Sequence, residues 1–215
     1  MFTLKNVSYK NILSIDNIEI KGQAITTLFG ESGSGKSTFL KLLNRIHTNE
    51  SGEITYKNQK ISTLDPIQLR REVIMLPQEP TIFKGTVRDN LQIGLEFSEK
   101  EKKEDQELMK LLESLKVKKQ LDDDGKELSG GEKQRVALGR IMLLDAPVYL
   151  VDEPTSALDE STETTIMDLF INFIKDNDKT AVMVTHSKEV AQKYSDEVIY
   201  MKNLMVGGAT HGRND

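Results

Sequence analysis

The sequence predicts an α/β fold, a parallel β-sheet with helices on both faces. Three observations lead there. Short apolar, β-branched runs at 25–29, 73–76, 148–151 and 181–185 read as buried strands, with segments of helical spacing between them. A glycine-rich turn, Gly30 to Thr38, joins the first run to a helical pattern. The run at 148–151 ends in two adjacent carboxylates, Asp152 and Glu153, at the strand end where α/β sheets hold ligands.

In chain order, Phe2 to Val7, Ile15 to Ile20 and Ile25 to Phe29 read as strands, punctuated by Asn11, Asp16 and Gly22. Phe39, Leu40, Leu42, Leu43 and Ile46 recur at helical spacing. Ser51-Gly52 predicts a turn into a strand at Glu53 to Tyr56, and Asp65-Pro66 opens a short helix. Val73 to Leu76 is a buried strand ending at Pro77-Gln78. Helical spacing follows over Thr86 to Ile93 and Glu99 to Leu115, whose charged run reads as a solvated face. Asp122 to Gly125 is a turn, without the spacing of a calcium loop. A helix is expected from Gly131 to Leu144, stopped by Ala146-Pro147, then a strand at 148–151 and a helix over Ile166 to Ile174. Val198 to Met201 closes the regular core, and the polar tail Gly207 to Asp215 is expected to be loose.

A length of 215 residues allows one substantial core, with room for a smaller appended lobe. The absence of cysteine excludes disulfides and thiolate chemistry. A net charge of −5 argues against a nucleic-acid partner. Met1 to Lys10 lacks a signal-peptide core, and no apolar run reaches the roughly 18 residues that span a bilayer. A membrane role is therefore expected to come from another chain.

The chemistry concentrates at a few places. Gly30-Glu31-Ser32-Gly33-Ser34-Gly35-Lys36-Ser37-Thr38 fits G-x-x-x-x-G-K-[ST]. Glycines let successive N–H groups point at phosphate oxygens, and the helix N-terminus adds favourable potential. Lys36 is placed to neutralise the β- and γ-phosphates, and Ser37 to ligate Mg²⁺. An ordinary Gly/Ser turn has no need of Lys-Ser after its third glycine. Asp152 is placed to hold Mg²⁺ and Glu153 to polarise an attacking water. His186, after the strand at 181–185, can donate to a γ-phosphate, and the Gln78 amide can contact Mg²⁺ and orient water. Leu128-Ser129-Gly130-Gly131-Glu132 completes the set. A chance match to those five residues is expected about once in several thousand such chains.

In this order, the phosphate loop, Gln78, Leu-Ser-Gly-Gly-Glu, the 152–153 pair, Ser156-Ala157-Leu158-Asp159 and His186 resemble the ATP-binding cassette (ABC) ATPases over nearly the whole chain. The resemblance implies a P-loop NTPase (RecA-like) core at 1–77 and 146–215, with an N-terminal antiparallel β subdomain and a helical subdomain at 78–145. It implies a dimer, expected to be a homodimer, that closes head-to-tail on two ATP molecules. Lys36 and Ser37 of one subunit then face Ser129, Gly130 and Gly131 of the other, with Asp159 at the interface. A separate permease is implied at the cytoplasmic face of a membrane, docking against residues 77–88, whose wording is closer to exporters. The stretch Leu128 to Glu160 is also similar to stand-alone ATPases paired with a Fet-type metal-export permease.

Two features depart from the pattern. The adenine-stacking aromatic should be Tyr9, yet the usual spacing falls nearer Asn11, so Tyr9 either reaches the base or belongs to the core. The loop 122–127 lacks the Glu-Gly of fused exporters. The competing reading is a soluble ABC ATPase of cytosolic assembly; a co-purifying permease separates the two. A P-loop kinase or switch leaves residues 128–132 without a role.

Overall fold

The computed structural model describes residues 1–205; the tail expectation at 207–215 lies outside the described residues. Two sheets organise the chain. The first is antiparallel, built from β1 (Phe2–Tyr9), β2 (Leu13–Ile20), β4 (Ser51–Tyr56) and the two-residue β5 (Gln59–Lys60), in the order β2-β1-β4-β5. The second is parallel throughout. It holds β3 (Ile25–Phe29), β6 (Val73–Leu76), β7 (Val148–Asp152), β8 (Thr180–Thr185) and β9 (Glu197–Tyr200), in the order β6-β7-β8-β3-β9.

Alternation along the central strands explains why they read as unbroken apolar runs. On β7, Val148 and Leu150 join a core with the antiparallel sheet and with Phe39, Leu40 and Leu43 of α1 (Lys36–Leu43). Tyr149 and Val151 face the opposite way, into a core with Phe170 and Ile174 of α6 (Glu160–Asp176) and Val136 and Ala137 of α5 (Gly130–Met142). On β8, Val182 and Val184 divide from Ala181 and Met183 in the same manner. Both faces are covered, so both sets are apolar. Burying one such side chain contributes about 1.5–3 kcal/mol.

Between β6 and β7 the chain is helical, with α3 (Val87–Phe97), α4 (Asp105–Ser114) and α5. Leu91, Leu108 and Leu112 extend the second core without a break. Asn90, fully buried, holds the connection from Gln78 by accepting from Phe83 N–H (2.8 Å) and donating to Phe83 O and Thr86 O (3.0 Å each). Arg140 reaches across from α5 to Asn90 O (2.6 Å) and Thr81 O (2.9 Å) and lies over the Phe83 ring. Burial pushes its guanidinium down to about 10.

The helix expected over 99–115 begins only at Asp105. Glu99 adopts φ +55°, and Lys100 N–H returns to Leu95 O, so α3 ends there and an extended link follows. The first helix stops at Leu43, with Arg45 left-handed, so Ile46 lies outside it and is half exposed. Gly52 sits inside β4 at φ +76°; a Cβ there would meet Asn6 O at 2.1 Å, where the β1–β4 register shifts. The short α2 (Pro66–Glu72) starts as expected, capped by Asp65. The sequence reading lacks β5 and α7 (Lys188–Tyr194).

Candidate active site

The loop between β3 and α1 takes its shape from two glycines, Gly33 at φ +78° and Gly35 at φ +88°. A side chain at Gly35 would also press on Leu13 at 2.9 Å, because the loop rests on the antiparallel sheet. Lys36 opens α1 and turns back beneath the loop, donating to Gly30 O (2.8 Å) and Glu31 O (2.7 Å). Burial holds its ammonium below the usual lysine range, against the attraction of Glu153 and Asp152. A partly desolvated cation bonded in this structure to two neutral carbonyls suits a polyphosphate.

The parallel sheet delivers the remaining groups to one edge. Gln78 follows β6, Asp152 ends β7, Glu153 comes next, and His186 follows β8. Asp152 is 4% exposed. Glu153 is left-handed at φ +50°, a conformation costing a bulky residue about 1–3 kcal/mol, so its surroundings must enforce it. Its N–H donates to Val184 O (3.2 Å), Gln78 Nε2 donates to its Oε2 (2.9 Å), and His186 Nε2 meets its Oε1. These three residues line a 260 Å³ cleft together with Ser32, Gly33, Gly35, Lys36, Ser37 and Thr38.

Among the described residues no group of three or more His, Cys, Asp or Glu converges as a metal site. The available donors at this edge are the Ser37 hydroxyl, the Asp152 carboxylate and the Gln78 amide. That set fits a hard cation arriving with phosphate oxygens better than one caged by protein.

Tyr9 does not join the cleft. It is 8% exposed, belongs to the apolar core and stacks on His47 (centroids 5.0 Å apart, 15° between planes). The expectation that it offers its face to adenine is corrected: the tight turn before β2 commits the ring to the fold and brings Ile12 to the cleft instead.

Ser129, Gly130 and Gly131 are also absent from the cleft lining. Ser129 caps α5 in a capping box: its Oγ accepts from Glu132 N–H (3.3 Å), and its N–H donates to Glu132 Oε2 (2.9 Å). Ser129 and Gly130 are exposed, and a Cβ at Gly130 would meet nothing within 4 Å. The capped N-terminus of this helix is therefore open to solvent at Ser129 and Gly130. Asp159 caps α6, accepting from Thr162 N–H (3.0 Å) and Ser161 Oγ (2.7 Å), which holds its carboxyl well below the usual range.

The family model described as ABC transporter matches residues 13–156, well over half of the chain. The chain belongs to the ABC transporter family. It is similar to ABC transporter I family member 17 of Arabidopsis thaliana, at 40% identity over 188 residues covering 87% of this chain and 71% of that one. Phosphate import ATP-binding protein PstB 3 of Natronomonas pharaonis is 34% identical, covering 89% and 74%. Other relatives are far longer: the chain spans 14% of the ABC-type transporter kk1G of Curvularia clavata, at 33% identity over 85% of this chain. Among solved structures, the dimeric post-hydrolysis ATP-binding cassette MJ0796 bound to ADP and Pi superposes with a TM-score of 0.81 at 32% identity, covering 96% of this chain and 95% of that one. This is the nucleotide-binding, ATPase domain of an ABC transporter, with the P-loop NTPase fold. Among the described residues no helix is long and apolar enough to cross a membrane.

Gln134 escaped the sequence reading. Between Lys133 and Arg135 it resembles a solvated face, yet it is 2% exposed. The available signals were its place one helical turn before Leu138 and its position within the Leu128 to Glu160 stretch that carries the resemblance.

Proposed function

We propose that two copies of this chain close head-to-tail on two MgATP molecules and that the resulting cycle drives a separate permease. One observation carries the reading. Gln78 and His186 grip the two oxygens of the Glu153 carboxylate at the mouth of the phosphate loop, while Ser129, Gly130 and Gly131 are no part of that cleft's lining and Ser129 and Gly130 are exposed. Each chain thus holds both half-sites, and a second copy supplies the missing half.

In the closed state the loop N–H groups and Lys36 hold the phosphates. Ser37 and Asp152, with Gln78, would hold Mg²⁺, which would neutralise charge on the phosphate oxygens. Ser129 and the Gly130 and Gly131 N–H groups of the other copy approach the γ-phosphate, an anion at a helix N-terminus. Glu153 takes a proton from water, the water oxygen bonds to the γ-phosphorus, and the bond to the bridging oxygen breaks, giving ADP and phosphate. His186 donates to the γ-phosphate and steadies Glu153. Loss of the shared γ-phosphate removes the contact between copies and reopens the dimer.

Residues 78–145 act as the helical subdomain, with the permease docking on the segment 77–88 at the cytoplasmic face. Export is favoured by the wording of that segment, and a metal cargo by the sequence resemblance alone. The test is to tag the Glu153→Gln variant, solubilise membranes with MgATP present and identify what co-purifies. A multispanning protein in stoichiometric amount is expected. Recovery as a soluble ATP-bound dimer with no such partner would replace transport by cytosolic assembly.

A further inference from the structure

Gln134 lies on α5 five residues after Ser129, a rise of about 7.5 Å along a rigid helix. Its buried amide is almost fully used. Nε2 donates to Glu153 O (2.9 Å) and to Ser156 Oγ (3.3 Å), and Oε1 accepts from Ala157 N–H (3.1 Å). The opposite orientation of the amide would set oxygen against the Glu153 carbonyl and NH₂ against the Ala157 N–H, so its neighbours fix it. The same helix touches the same turn at its first residues: a Cβ at Gly131 would lie 3.1 Å from Leu158 Cδ2 and 3.3 Å from Ala157 O.

Glu153 is held at three points. Its carboxylate is gripped by Gln78 and His186, its N–H by Val184 O, and its carbonyl by Gln134 Nε2 (2.9 Å) and, more weakly, by Ser156 N–H (3.3 Å). At φ +50° the direction of its side chain depends on how the peptides on either side are held. Gln134 is the one of these contacts that belongs to α5, the helix whose N-terminus faces outward.

We infer that Gln134 is a positioning residue that ties the backbone of Glu153 to the helix opened by Ser129, so that engagement of Ser129 at one ATP sets the general base at the other. The inference rests on the head-to-tail reading above. In that arrangement a chain's Ser129 and its Glu153 serve different nucleotides, and the amide joins the two sites within one chain. A displacement of about 1 Å at a reacting group costs about a hundredfold in rate.

The test measures steady-state ATP turnover and nucleotide affinity for Gln134→Leu, alone and combined with Glu153→Gln. Gln134→Leu alone should lower kcat about a hundredfold, with KM and the affinity for a fluorescent ATP analogue unchanged within about twofold. Added to Glu153→Gln, it should leave the residual rate unchanged, because its effect runs through a base already removed. Equal losses in both backgrounds, or an affinity falling with kcat, would overturn the inference and leave Gln134 a plain structural contact. Should the leucine variant not fold, Gln134→Asn keeps the amide but shortens its reach by one methylene and reads the same split. If Glu153→Gln alone turned over at the wild-type rate, the assignment of the base would fall, a result separable from the behaviour of Gln134 in the wild-type background.

Discussion

In the proposed reaction, Lys36 and Glu153 carry the chemistry as single residues. Lys36 is buried against two loop carbonyls and held below the usual lysine range by that burial. Lys36→Ala should raise the Kd for MgATP at least tenfold, about 1.4 kcal/mol or more of binding, as read by titration calorimetry. Glu153→Gln keeps the shape and removes the proposed base; kcat should fall by about 10² to 10⁴ with binding retained, and wild-type turnover would exclude the role. Away from the site, the Lys57 ammonium, with the Tyr56 hydroxyl, holds the Glu72 carboxyl below the usual range. A lowered carboxylate pKa gives stability that is present above the unfolded value near 4.3 and fades as pH falls through the folded one. Because Glu72 is half exposed, the contribution stays below about 1 kcal/mol. Glu72→Gln should flatten the loss of stability between about pH 5 and 3 in urea titrations, and an unchanged acid limb would contradict this.

At the level of elements, the interior strands were the most legible. Residues 25–29 and 73–76 form strands with the bounds their composition implies, because two covered faces demand unbroken apolar runs. Helix ends were less legible. The charged spacing from Glu99 imitates a helix start, and what excludes it is the left-handed Glu99 and the Lys100 side chain reaching Leu144 O, neither visible in a periodicity. The two residues of β5 and the seven of α7 are too short to show a pattern. Asn90 is another tertiary fact: fully buried, it ties the segment after Gln78 to α3 and α5. Asn90→Ala strips partners from several buried groups and should cost on the order of 3 kcal/mol in chemical denaturation; a loss within 0.5 kcal/mol, the range typical of surface changes, would count against the clamp.

Over the whole molecule, the proposed site is divided between two surfaces of one chain. The motifs were legible because each is a local run of residues, and the parallel sheet gathers Gln78, Glu153 and His186 at one edge, as their places after three strands imply. Tyr9 was not legible: spacing cannot say whether an aromatic ring at a hairpin end faces a ligand or the core, and here its stacking on His47 decides. Nor was Gln134, whose burial depends on the turn after β7 packing against α5. The central claim is that this division makes ATP the link between two copies. Sedimentation velocity of Glu153→Gln, with and without MgATP, tests it most directly. A dimer with MgATP, and a monomer with MgADP or when Ser129→Arg is added, is the predicted result. A monomer at saturating MgATP, or a dimer that forms without nucleotide, would contradict it.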